Sequence, residues 1–181
     1  MVGYGPITPT YCMLASTAHL PSLADLALAD PSSVSALTSL RSALEGSRGP
    51  LLMTEHGRVP VCRDDGDEHD QHCFHGHALL FGTSKTIETE AETFYIHRAS
   101  FDDLPSALAH AATTDHYFLI SPCRDRFTIL SGPLNAPRQL ARTLVAIVSG
   151  MPQFADWRSA PRVDEVLARA SVLRKELESA T

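Results

Sequence analysis

Apolar positions along the 181-residue chain fall into short runs of two kinds, and their spacing separates strands from helices. TYCMLAST (10–17) is short, apolar and β-compatible, is approached through Pro6 and Pro9, and predicts a first strand. Leu20, Leu23, Leu26 and Leu28 begin a helical pattern after His19. Ser32 or Ser33 reads as the N-cap of SVSALTSLRSALEG, with Val34, Leu37, Leu40, Ala43 and Leu44 on one face and Gly46 as the stop. PLLMTEHG (50–57) predicts a second strand, and CFHGHALLFG (73–82) a third. A fourth is expected around 92–98, at the end of TETEAETFYIHRA. FDDLPSALAHAATT (101–114) predicts a helix opened by Asp102 or Asp103. HYFLISPC (116–123) and RFTILSG (126–132), joined by a Pro-containing turn, predict a hairpin. APRQLARTLVAIVSG (136–150) has helical spacing with Leu140, Leu144, Ile147 and Val148 inward, and VDEVLARASVLRKELES (163–179) is a last helix.

Five or six strands and three or four helices in mixed order predict an α+β fold, mostly an antiparallel sheet with flanking helices, in one domain spanning 1–181. Between the second and third strands, residues 58–72 carry Arg63, Asp64, Asp65, Asp67, Glu68 and Asp70, which predicts a mobile acidic loop.

Composition narrows the function. At 44% hydrophobic, the chain can build a core. No apolar run approaches a membrane span, and MVGYGPITPTYC lacks the features of a secretory signal, so a cytoplasmic protein without a membrane partner is expected. The formal charge is −6 and the arginines are scattered, which argues against a nucleic-acid polymer as partner. Cys12, Cys62, Cys73 and Cys123 form no C-x-x-C pair and are expected as thiols.

The chemically dense stretch is HCFHGHALLFG (72–82). Alternation along a strand puts Cys73, His75, His77, Leu79 and Phe81 on one face, so two imidazoles stand side by side with Gly76 between them. One ring can attack an electrophile while an acceptor fixes its tautomer through the other nitrogen. Two alternatives stay open on these residues alone: histidines packed for structure, and a metal site drawn from Cys62, His69, His72, Cys73, His75 and His77. The spacing of these ligand types matches no familiar zinc pattern.

The run His75-Gly76-His77-Ala78-Leu79-Leu80-Phe81-Gly82 resembles the histidine-triad (HIT) motif, His-x-His-x-His followed by two apolar residues and usually Pro. Other stretches resemble the bacterial HIT-like branch in the same order. These are GPITPTYCMLASTAHLPSL with His19 and Ser22, the Glu-His-Gly of LLMTEHG, the Gln-x-x-Arg of Gln139 to Arg142, and Asp156-Trp157-Arg158. The resemblance implies a HIT-like antiparallel sheet, often in a homodimer, and chemistry at a nucleotide α-phosphate. His77 takes the position of the nucleophile that forms a nucleotidyl-histidine, and His75 the position whose carbonyl and ring orient it. The implied activity is nucleotide hydrolysis or nucleotidyl transfer on a phosphoramidate, a dinucleoside polyphosphate or another nucleotide conjugate. No cofactor is implied beyond a divalent ion that accompanies the substrate.

Three positions depart from the family pattern. Leu79 stands at the third histidine, and leucine can neither bond a phosphate oxygen nor protonate a leaving group. Gly82 stands at the usual proline. The chain begins almost at GPITP, without the one or two N-terminal strands usual in the family, so part of the nucleoside pocket would be missing or supplied by a partner subunit. A non-catalytic nucleotide-binding protein and a metal-dependent hydrolase using the Cys/His cluster are therefore alternatives. A rival register makes Cys73, His75 and His77 the three positions, with His75 as nucleophile. Accessory substrate-binding roles are expected for Glu55, His56, Gln71, His19, Gln139 and Arg142. Asp156, Trp157 and Arg158 are expected to lock the last helix to the core through buried area and an ion pair, and Lys85 lies in a solvated turn.

Overall fold

Residues 51–55 and 117–121 open on apolar runs, Leu51-Leu52-Met53 and Tyr117-Phe118-Leu119-Ile120, and are buried at every position rather than at alternate ones, as a strand is when both of its faces are covered. The computed structural model, which describes residues 1–58, 75–137 and 139–179, puts these two strands at the centre of the sheet. The six strands are β1 (Tyr11–Ala15), β2 (Leu51–Gly57), β3 (His77–Gly82), β4 (Tyr95–Phe101), β5 (Tyr117–Cys123) and β6 (Arg126–Pro133). They form one sheet of order β1-β3-β2-β5-β6-β4, antiparallel at every pairing. Six α-helices accompany them: α1 (Leu23–Ala29), α2 (Ser32–Arg48), α3 (Glu88–Glu92), α4 (Leu104–Ala111), α5 (Leu140–Val148) and α6 (Val163–Ser179). The chain is thus α+β, with six strands and six helices among the described residues.

Alternation sorts the core into two clusters. Leu51, Met53, Ala78, Leu80, Tyr117, Leu119 and Ile129 pack with α1, α2 and α4 on one face. Leu52, Phe81, Phe118, Ile120 and Leu130 pack with α3 and α5 on the other. A sheet buried on both sides needs polar residues only where something specific bonds them. Arg41 is such a case: its guanidinium crosses from α2 to Ser121 Oγ (2.6 Å) and the Leu51 carbonyl (2.8 Å).

Local signals place most element ends. Ser22 caps α1 by accepting the Asp25 N–H (3.1 Å), and Asp103 caps α4 by accepting from Ser106 (2.7 Å). Several expectations need correction. The side chain at the start of α2 is that of Asp30, which accepts both the backbone N–H (3.0 Å) and the hydroxyl (2.6 Å) of Ser32. Gly46 does not stop α2: nothing lies near its missing Cβ, so its cost is only conformational, and the helix runs on to Gly49 at φ +80°. Pro122 lies within β5, so the hairpin turn is Arg124-Asp125. Ile147 is 54% exposed, while Ala141, Val145 and Ala146 fill the inner face of α5. The expected acidic loop, from residue 59 on, lies outside the described residues.

The two ends of the chain meet. Three arginines near or on the last helices hold carbonyls of the N-terminal segment: Arg142 bonds Tyr4 (3.3 Å) and Gly5 (2.7 Å), Arg162 bonds Pro6, and Arg169 bonds Thr8. Tyr4 stacks on Trp157 at 6.0 Å.

Candidate functional site

Residues 75 and 76 are pinned between the end of β1 and the turn before α1. Gly76 N–H donates to the Leu20 carbonyl (2.6 Å), and its own carbonyl accepts from Ser16 (2.9 Å). A side chain at Gly76 would lie 2.3 Å from the Ser22 backbone carbon, so only glycine allows this approach. The His75 ring then meets the Ser16 carbonyl through Nδ1 (2.9 Å) and faces the His19 ring at 4.4 Å. His77 opens β3, and its Nδ1 lies 3.0 Å from the His75 carbonyl. A carbonyl can only accept, so it selects the tautomer with a proton on Nδ1. The His77 Nε2 therefore carries the ring's lone pair, on a half-buried side chain.

Strand β2 brings a second imidazole beside the first. The β2–β3 register ends at Thr54–Leu79; His56 lies two residues further along the same face of β2, close enough to His77 to feel its charge. His56 Nε2 meets the Tyr95 hydroxyl at 3.0 Å, and the ring stands edge-on to Phe118 at 5.4 Å. Burial, with smaller repulsions from His116 and His77, pulls the His56 pKa down to about 4, so the ring is neutral at physiological pH. Burial also raises the Tyr95 hydroxyl above its ordinary range, so it keeps its proton. Thr54 Oγ1 and Gln139 Oε1 are buried side-chain atoms without a hydrogen-bond partner, and Thr54 lies on this same face.

Glu55 points the other way. Its two oxygens accept the Leu23 N–H at the start of α1 (2.6 Å) and the Tyr117 hydroxyl (2.5 Å). Gly57 makes this possible, because a Cβ there would fall 2.2 Å from the Tyr117 ring. Burial pushes the Glu55 carboxyl up to about 8 against the pull of its two donors. Glu55 thus joins β2 to α1 on the face opposite the imidazoles.

The structure brings together His19, His75, His77 and His56 from the residues singled out in the sequence. Gln139 precedes α5 with a left-handed backbone at φ +59°. Arg142 spends its guanidinium on the carbonyls of Tyr4, Gly5, Phe154 and Ala155 and lies over the Tyr11 ring at 5.3 Å, which engages it away from the histidines. Gln71 lies outside the described residues, as do Cys62, His69, His72 and Cys73. The metal alternative and the rival register both depend on that segment. Among the described residues no group of three or more His, Cys, Asp or Glu is arranged to hold a metal. Lys85 is exposed, with its ammonium on the Val148 carbonyl, and the Asp156 carboxylate accepts the Arg158 backbone N–H at 2.9 Å.

Tyr95, Tyr117 and Phe118 complete the surroundings and were not singled out in the sequence. Each is an ordinary aromatic in an apolar run, and only the cross-strand register shows which ring meets His56 and which meets Glu55. An apolar cavity of about 170 Å³ lies on the opposite face, lined by residues such as Leu14, Leu23, Val34, Leu37 and Leu108 and by none of the histidines. No helix among the described residues is long and apolar enough to cross a membrane. The chain matches no protein-family model and no curated protein.

Proposed function

We propose that this protein has a HIT-like fold and acts as a nucleotide hydrolase or nucleotidyl transferase, with His77 as nucleophile. The observation that carries the reading is the contact between His77 Nδ1 and the His75 carbonyl (3.0 Å), which leaves Nε2 as a lone-pair donor. His75 is itself fixed by the Ser16 carbonyl, so the strand presents a ring already in the tautomer needed for attack. The antiparallel sheet, with the histidine strand between β1 and β2, supports the fold assignment.

The reaction has two steps. Nε2 forms a bond to the α-phosphorus of a nucleotide conjugate, and the bond from phosphorus to the leaving oxygen or nitrogen breaks. The leaving group takes a proton from the site or from water. Water or another acceptor then attacks the same phosphorus, the P–N bond to His77 breaks, and the free ring returns. Substrates are expected to be nucleoside phosphoramidates, dinucleoside polyphosphates or related conjugates, handled by a homodimer in the cytoplasm.

A second reading is a nucleotide-binding protein without turnover. It is favoured by Leu79, which packs against the apolar cluster at the third triad position. Trapping separates the two readings. A nucleotide labelled at the α-phosphate should leave an acid-labile adduct on the wild type and none on His77→Ala. Reversible binding with no adduct and no product would contradict the catalytic reading.

A further inference from the structure

The third position of the motif is Leu79, yet the face around it is not wholly apolar. His56 lies on the adjacent strand, one same-face step beyond the last pair, Thr54–Leu79, and within electrostatic range of His77. The two rings are near enough for His77 to act electrostatically on His56, which puts the His56 ring on the side of the strand where a phosphoryl group on His77 Nε2 would sit.

The His56 ring is held, and its proton is assigned. Tyr95 reaches it from the far edge of the sheet and stacks on Phe118 at 6.1 Å, while Phe118 supports the His56 edge. If the Tyr95 hydroxyl donates to Nε2, the single proton of the neutral ring is on Nδ1. The opposite arrangement leaves both the hydroxyl proton and the Nδ1 lone pair without partners, because no other bond to either group exists among the described residues. The first arrangement leaves only an Nδ1–H. The His56 side chain is half-buried, and His77 is among the groups that act on it electrostatically.

We propose that His56, held by Tyr95, supplies the hydrogen bond to the transferring phosphoryl group that Leu79 cannot make. It acts as a neutral Nδ1–H donor. A neutral donor stabilises the charge growing on the phosphoryl oxygens without placing a cation beside the attacking His77 ring. Tyr95 is a positioning residue, acting through the tautomer and orientation of His56. This inference rests on the nucleotidyl-His77 reading and names the group that completes that site.

Single-turnover labelling tests it, with adenosine and guanosine 5′-phosphoramidates as probes. His56→Ala is expected to slow formation of the His77 adduct by about 100-fold or more, with KM changed less than about threefold. His56→Asn, which restores an N–H near the Nδ1 position, should recover at least about tenfold of that loss, and Tyr95→Phe should slow the step by about 3–10-fold. A merely structural histidine would not show rescue by asparagine together with an unchanged KM. If His56→Ala fails to fold, the asparagine and Tyr95→Phe variants carry the test against the wild type. Adduct formation within threefold of wild type in His56→Ala overturns the inference and leaves the His77 reading intact. Equal losses in the alanine and asparagine variants do the same. A wild type that forms no adduct with either probe overturns both.

Discussion

Glu55 and His56 are bonded neighbours that enter opposite faces of the sheet, and burial moves both toward their neutral forms. The Glu55 carboxyl is pushed up to about 8 from an ordinary 4.5. Between those values the unfolded chain has lost a proton that the folded chain keeps. The Glu55 contribution is therefore full below about 4.5 and is lost as pH rises toward 8. His56 behaves in the opposite sense. Its pKa falls to about 4 from 6.5, so its contribution is full above 6.5 and is lost as pH falls toward 4. The alkaline limb is expected to be the larger, about 3–5 kcal/mol, and the acid limb about 2–3 kcal/mol. Urea unfolding from pH 4.5 to 8.5 should show Glu55→Gln flattening the alkaline limb and His56→Asn flattening the acid limb. Unchanged limbs in both variants would mean that neither side chain titrates as its burial requires. The same residues mark what sequence can and cannot give. The pairing of His75 with His77 follows from spacing and from the HIT resemblance. The separation of Glu55 from His56 follows from strand alternation alone. The bonds to Tyr117 and Tyr95 do not follow, because they depend on which strands become neighbours.

At the level of elements, close backbone approach decides where the histidines sit. Gly76 lies against Ser22 at the start of α1, and Gly57 lies under the Tyr117 ring that reaches Glu55. Gly76→Ala places a Cβ against backbone that cannot rotate away, and is expected to lower stability by about 1–3 kcal/mol. It should also weaken the bond that orients His77, because residue 75 must shift with it. Thermal unfolding reads the first effect. The second appears in the ¹⁵N chemical shifts of the His77 ring, where a change in the Nδ1-protonated fraction is expected. Elements with strong local signals were legible in the sequence: α4 from Asp103, the β5–β6 hairpin from its two apolar runs, and the centre of β2. The short α3 was not, because Glu88–Glu92 carries three glutamates and too little apolar spacing to be seen as a helix. Its position follows from the Glu88 carboxylate, which accepts from Thr128 (2.6 Å) and Arg126 (3.0 Å) on β6.

At the scale of the molecule, the sheet holds two different interiors, and the chain ends close on each other. Arg142 illustrates why such closure escapes a sequence reading. Its spacing from Gln139 suggests a phosphate contact, but two of its four carbonyl partners, Tyr4 and Gly5, lie more than a hundred residues away in the chain. Arg142→Lys keeps the charge and loses the planar fork. It is expected to cost about 2–3 kcal/mol and to expose the N-terminal segment to proteases, both measurable without any substrate. An unchanged melting temperature would contradict this role. The central claim concerns the other end of the sheet, where β3 presents His77. A crystal structure of the protein soaked with a slowly reacting nucleotide phosphoramidate tests it most directly. The account predicts the α-phosphorus about 3–3.5 Å from His77 Nε2, with the leaving nitrogen on the far side of phosphorus and in line. A nucleotide bound away from His77, or a His77 ring whose Nε2 turns from the phosphate, would contradict it.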